Sequence, residues 1–223
     1  MLKPKHQPKP SSEVERITDA EALELIAAVL HHLPNAQLEE LTSDQILSSH
    51  EAIDGLGSAL SELLKGRSLA ARSAHWAGQS WIGPNCLIGP DCIVGPNSYL
   101  CQSALLTRGV RVGFSVEIDT AVLFDHVKIS HAAFVGSSNF GEGVNAGYGF
   151  VSTTGRLDRE PVRIRTDGAP RKHVVAKASH HGVVVGKNTR FGASVMTMPG
   201  STVGPNLLVE PGTTIGGIFS GPD

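Results

Sequence analysis

Hydrophobic residues recur every six positions in two stretches of this chain. The first run is Ile82, Ile88, Val94, Leu100, Leu106, Val112 and Ile118. The second is Val185, Phe191, Thr197, Val203, Val209 and Ile215, in which Thr197 is polar and Phe191 aromatic. A glycine often follows, as in Ile82-Gly83, Ile88-Gly89, Val94-Gly95 and Val203-Gly204. A period of six fits neither the 3.6 of a helix nor the simple alternation of a flat strand. It predicts hexapeptide repeats: an all-β solenoid with three faces, in which short strands alternate with tight corners and one side chain per hexad points inward. The following glycine is expected at a corner, where it would tolerate an unusual φ.

The pattern divides the chain. Residues 1–12 are rich in Lys and Pro and read as a disordered tail. Residues 13–79 read as a small helical segment and junction, and residues 80–217 as the solenoid, with a tail at 218–223. Within the helical segment, Thr18-Asp19-Ala20-Glu21 has the form of a capping box, followed by Leu23, Ile26, Ala27 and Leu30 on one face. Thr42-Ser43-Asp44-Gln45 is a second helix start. Ile53, Leu56, Leu60, Leu63 and Leu64 form a third stripe that stops near Gly66. Residues 66–79 read as the junction. In the solenoid the period slips between Ile118 and Val135, then resumes with Val135-Gly136, Phe140-Gly141 and Ala146-Gly147. Residues 152–183 break it completely. Solenoids place insertions at a corner, and long loops in compact proteins are usually functional.

Composition narrows the partners. The formal charge of the 223 residues is -2, which argues for neither nucleic acid nor an anionic membrane surface. No run of 18 apolar residues is present, so no membrane span is expected, and no apolar segment follows the basic N-terminus as a secretory signal would require. The three cysteines, Cys86, Cys92 and Cys101, form an odd set without an export signal, pointing to reduced thiols and a cytoplasmic location. Cys86 and Cys92, one hexad apart, belong on successive faces. Charge is uneven, however. Between 156 and 190 stand nine of the 19 Lys and Arg, a patch suited to an anionic ligand such as a phosphate-bearing cofactor.

The stretch from Ile82 to Gly217, including KISHAAFVG, GEGVNAGYGF and RFGASVMTMPGSTVG, resembles the acetyltransferase domain of bifunctional sugar-1-phosphate nucleotidylyltransferase/acetyltransferases, especially the archaeal type. The resemblance implies a left-handed parallel β-helix, a homotrimer, and acetyl-CoA or another acyl-CoA as co-substrate, with no metal. By motif, His131 matches the general base that takes a proton from an acceptor amine, which a neutral imidazole can do. Asn145 matches a residue that orients acceptor or base, and Phe134 stands where an aromatic, commonly Tyr, lines the acceptor site. Ala146 and Tyr148 match the stretch beside the thioester carbonyl, where a backbone N–H can stabilise an oxyanion. Ala193 and Pro211 match the pantetheine channel. Arg171 and Lys172 are the loop cations assigned to the cofactor phosphates. The nucleotidylyltransferase half has no counterpart here.

Two departures bear on the acceptor. Where the family holds a sugar phosphate with an Arg and a Lys, this chain has Cys101 and Asp119. Exchanging cations for a thiol and a carboxylate turns a phosphate site into one that repels phosphate. The expected acceptor is therefore an amine-bearing small molecule without phosphate, such as an aminosugar. Two other readings stand beside the acyltransferase: a non-catalytic trimeric scaffold, and a zinc enzyme of the carbonic anhydrase type using His126 and His131. The zinc reading lacks its third histidine, since Asp91 to Ser98 contains none.

Overall fold

The structure, a computed structural model, describes residues 14–33, 35–166, 173–177 and 179–221. It is a parallel β-solenoid carrying two helices on one side. Successive coils lay short strands, most of two or three residues, on three faces, and the strands of each face pair in parallel with their counterparts one coil on. All thirteen positions of the two hexad runs are buried in the prism. The two phenylalanines Phe140 and Phe150 meet edge-on at 5.6 Å in the same interior.

The glycines of the hexad have a different reason from the one expected. Those with positive φ do not include Gly83, Gly89 or Gly95; the left-handed positions fall two residues later, on Asn85, Asp91 and Asn97 at φ 57°, 59° and 54°. Asn and Asp tolerate that region better than most residues. Gly89 is required by coil stacking, because a Cβ there would lie 1.6 Å from the Thr107 carbonyl oxygen of the next coil.

Register explains the slip in period. Leu87 pairs with Leu105 eighteen residues on. By contrast, Leu105 pairs with Val122 and Val122 with Asn139, seventeen residues on in each step. One side of each of these coils has five residues instead of six, and there Glu117–Leu123 and Phe134–Phe140 run round the corner as continuous strands. The solenoid also begins earlier than the hexads announce. Strands Ser68–Ala71 and His75–Trp76 form a first coil within the stretch read as junction. Its inward residues, Ala70 and Trp76, keep the six-residue spacing with a small and an aromatic side chain in place of the larger aliphatic ones.

Two helices stand where two starts and a third apolar stripe were read. Helix α1, Asp19–His31, begins at the Thr18 capping box. Helix α2 runs unbroken from Ser43 to Leu64, through Gly55 and Gly57, and ends on Lys65 in the left-handed conformation. Both helices cover the first face. Ile26, Val29, Leu56, Leu60 and Leu64 pack against Leu69, Leu87, Leu105 and Val122, the outward residues of four successive coils. Strand Val14–Ile17 adds a further parallel strand above Ser68–Ala71. Arg16 closes that end, donating to the carbonyls of Ala71 and Ala74 and lying 3.9 Å over the Trp76 ring.

The inserted segment is partly ordered by pairing. Arg163–Arg165 and His173–Val175 form an antiparallel ladder. Val162, Ile164 and Ala176 bury against Ile46 and Ile53 of α2, so the segment leaves the corner between the third and first faces and folds back onto the helix.

Candidate functional site

Stacking places most of the expected site residues along one edge. The corner between the second and third faces repeats once per coil. Its backbone hydrogen bonds link Ala132 to Phe114, Gly149 to His131, Ser194 to Tyr148 and Gly212 to Ala193. Phe114, His131, Tyr148, Ala193 and Pro211 therefore occupy equivalent positions on five successive coils. His131 and Tyr148 are both exposed, Tyr148 at 60 %. Asn145 lies on the second face in register with Lys128 and Arg190, and Ala146 beside it points into the prism. Ala146 thus reaches the site only through its backbone.

His131 is held in one orientation. The Phe114 N–H donates to His131 Nδ1 at 2.9 Å. A backbone N–H can only donate, so Nδ1 supplies its lone pair and the proton of the neutral ring is assigned to Nε2. Nε2 is then a donor, and the one lone pair able to accept a proton is already engaged.

The residues assigned to the acceptor sit on the third face. Phe134 begins its strand, half-buried, with its ring over Gly136: a Cβ there would come within 2.6 Å of Phe134 Cζ. Cys101 and Asp119 lie at the far end of that face, beside the corner from which the inserted segment departs. The Cys101 thiol contacts Glu117 Oε1 at 3.6 Å. Burial, followed by the carboxylates of Glu117 and Asp119, pushes it up to about 12. Cys101 is therefore a neutral thiol at physiological pH, unsuited to nucleophilic work. Cys86 and Cys92 are buried and likewise held near 12 by desolvation.

Arg171 and Lys172 lie outside the described residues. Among the other cations of the 156–190 stretch, Arg156 pairs with Asp158 and Lys187 with Glu39, which neutralises part of the patch. His126 and His131 occupy different corners, on opposite edges of the second face, and do not converge within one chain. No group of three or more His, Cys, Asp or Glu suited to a metal occurs among the described residues.

Two features escaped sequence reasoning. The first is a cleft of about 600 Å³ lined by Thr153, Arg156, Leu157, Arg163, Met196 and Met198, among others. It lies between the third face and the inserted segment and contains none of the expected catalytic residues. Exposed Leu157 in that segment, with exposed Met196 and Met198 at the third face, all apolar, were a signal. The second is a buried polar chain: His50 Nδ1 meets His181 Nε2 at 2.8 Å, His50 Nε2 meets Thr202 Oγ1 at 2.9 Å, and His181 Nδ1 lies 3.4 Å from Asp54 Oδ1. It joins α2, the root of the inserted segment and the first face.

No protein-family model matches the chain. It is similar to a bifunctional protein GlmU of Methanococcus maripaludis, 35 % identical over 98 residues, 44 % of this chain and 23 % of that protein. It is also similar to a bifunctional sugar-1-phosphate nucleotidylyltransferase/acetyltransferase of Sulfurisphaera tokodaii, 29 % identical over 111 residues, 50 % of this chain and 27 % of that protein. The chain thus spans about a quarter of the length of these relatives. Among solved structures, a hexapeptide transferase family protein from Anaplasma phagocytophilum superposes with a TM-score of 0.43 at 17 % identity, covering 67 % of this chain and 73 % of that one. At that score the superposition carries no weight, and the solenoid rests on this chain's own strand pairings.

Proposed function

We propose that this chain is an acyl-CoA-dependent N-acyltransferase acting on an amine-bearing small molecule, with acetyl-CoA as donor and an aminosugar lacking phosphate as the acceptor class. The observation that carries this reading is the single corner on which His131, Tyr148, Ala193 and Pro211 follow one another coil by coil. The names of the relatives, which include acetyltransferase, support the same chemistry.

In this reading the acceptor amine attacks the thioester carbonyl, a C–N bond forms, the C–S bond breaks and the thiol of CoA leaves. His131 takes the proton from the amine. A backbone N–H of the 146–148 stretch faces the developing oxyanion, and Asn145 orients acceptor or base. Because Nδ1 of the resting ring accepts from Phe114, base function requires the ring to turn away from that bond as the acceptor arrives. On the third face, Phe134 supplies an apolar wall, while Cys101 and Asp119 favour a neutral or cationic acceptor over a phosphorylated one. Cations of the inserted segment, Arg171 and Lys172 among them, would meet the cofactor phosphates. We further propose a homotrimer, in which a neighbouring copy covers the exposed corner, and a cytoplasmic location consistent with three free cysteines.

Calorimetry with acetyl-CoA tests the reading. Wild type and His131→Ala should both bind, and only wild type should acetylate an amine acceptor. Absence of binding by wild type at millimolar acetyl-CoA overturns it. That result leaves the second reading, a non-catalytic scaffold, which is favoured by one observation: the engaged Nδ1 lone pair of His131. Cys101→Arg with Asp119→Lys should strengthen binding of an aminosugar 1-phosphate, and unchanged binding counts against the acceptor assignment.

A further inference from the structure

The second face carries one outward residue per coil: His75, Ile93, Arg111, Lys128, Asn145, Arg190 and Leu208. None is acidic, and all but the half-buried Asn145 are exposed. Arg111 and Lys128 are direct register partners, so their backbones stand about 4.8 Å apart across the ladder. Like charges directly opposite one another are unfavourable unless something between them is negative. Neither takes part in an ion pair among the described residues, whereas Arg67, Arg156 and Lys187 each have a carboxylate partner.

A cavity of about 460 Å³ opens beside this pair, lined by Asp91, Gly109, Arg111, His126 and Lys128. Gly109, at φ 62°, makes room for the imidazole: a Cβ there would lie 2.7 Å from His126 Nδ1. The ring is thus seated against the cavity wall, and in either tautomer it keeps one N–H donor. Asp91 belongs to the same wall. A carboxylate repels a bare oxyanion but accepts from a hydroxyl, so the wall suits a ligand that carries both groups.

We propose that the second face holds a binding site for a phosphate monoester with a neighbouring hydroxyl, of the sugar-phosphate class, with Arg111, Lys128 and His126 on the phosphate and Asp91 on the hydroxyl. Arg supplies a planar fork and Lys a point charge, the two common ways of holding phosphate. The site is separate from Cys101 and Asp119, whose third face repels phosphate, and it does not depend on acyl transfer.

The test is calorimetric titration of the full chain with ribose 5-phosphate, inorganic phosphate and ribose at constant ionic strength. Ribose 5-phosphate should bind more tightly than either part alone. Arg111→Gln and Lys128→Gln should each weaken it about tenfold, and Asp91→Asn should narrow its advantage over inorganic phosphate. All these side chains are exposed, so the variants should keep the wild-type melting temperature, and Lys128→Glu provides a second variant at one position. Equal binding of ribose and ribose 5-phosphate, or unchanged affinity in the Arg111→Gln/Lys128→Gln double variant, overturns the proposal. Displacement by acetyl-CoA identifies the ligand's source as the ribose phosphate of the cofactor; retention in its presence identifies a separate phosphorylated molecule. Both support the site, and neither depends on whether His131 is catalytic.

Discussion

On the first face the residue preceding each inward side chain is Leu69, Leu87, Leu105, Val122, Asn139, Val184 or Thr202, and on the second it is His75, Ile93, Arg111, Lys128, Asn145, Arg190 or Leu208. The two faces share a backbone, a register and an inward row. They differ only in what stands outward, and that row decides what each can meet. An apolar row must be covered, and α1 and α2 cover it. The two polar residues in it both find partners in the cover, Asn139 Nδ2 donating to the carbonyls of Ala36, between the helices, and Ser49, in α2, and Thr202 meeting His50. A row holding Arg111, Lys128 and Arg190 cannot be covered by apolar residues without desolvating those charges, and it remains open to solvent and ligand. In a solenoid the inward row therefore specifies the fold, and the outward row assigns each face its task.

Exchanging outward residues between the faces should produce the largest effect. Leu105 is fully buried under the helices. Leu105→Lys removes its packing and buries an uncompensated charge, which should cost about 4 kcal/mol or more. The reciprocal Lys128→Leu on the open face should stay within about 0.5 kcal/mol. Thermal unfolding of the two variants checks this, and similar losses from both would dissolve the distinction between the faces.

The inward row was legible because burial favours apolar residues: all thirteen hexad positions are inside, and Thr197 alone among them is polar. The first coil was not, since Ala70 and Trp76 satisfy the spacing with a small and an aromatic side chain. The slip after Ile118 required the register to show that two coils are one residue shorter. The helical stripes were read correctly as helical, but the join into one α2 depends on tertiary packing that holds Gly55 and Gly57 in a helix against their propensity. In the candidate site, the shared corner of His131, Tyr148, Ala193 and Pro211 follows from coil spacing once the insertion is placed. The engaged Nδ1 of His131 does not, because it depends on a backbone N–H seventeen residues earlier in sequence. His50 and His181 are 131 residues apart, and no local pattern links them.

That histidine pair tests how the cover is fastened. Its contacts form one chain: Thr202 Oγ1 with His50 Nε2, His50 Nδ1 with His181 Nε2, and His181 Nδ1 facing Asp54 Oδ1 at 3.4 Å. His50→Ala should cost about 2–4 kcal/mol, through a cavity and unpaired neighbours. A cycle with His181→Ala should give a coupling of about 1–2 kcal/mol; additive losses would mean that the rings act separately. The pair should also make stability depend on pH. Burial first, then His181, holds His50 well below its ordinary value of 6.5, with Asp54 opposing. The folded state therefore binds fewer protons than the unfolded state beneath that value. The contribution is complete above about pH 6.5 and is lost as pH falls toward the depressed folded value. Denaturant unfolding between pH 7.5 and 5.5 should show this decline, and His50→Gln should flatten it.

A smaller change in stability than that of the histidine pair falls on the open face and isolates its role. Gly109 takes φ 62° and lies under the His126 ring. Gly109→Ala places a methyl in the left-handed region at a cost of about 1 kcal/mol, and the methyl must displace the imidazole. A purely structural glycine would lose that stability and nothing else. If the open face is built to present His126, ribose 5-phosphate binding should weaken severalfold in the same variant, while the helix signal in circular dichroism and the cover on the first face stay as they are. Lowered stability with unaltered phosphate binding would return Gly109 to an ordinary corner residue and remove His126 from the site, leaving Arg111 and Lys128 to hold the anion alone.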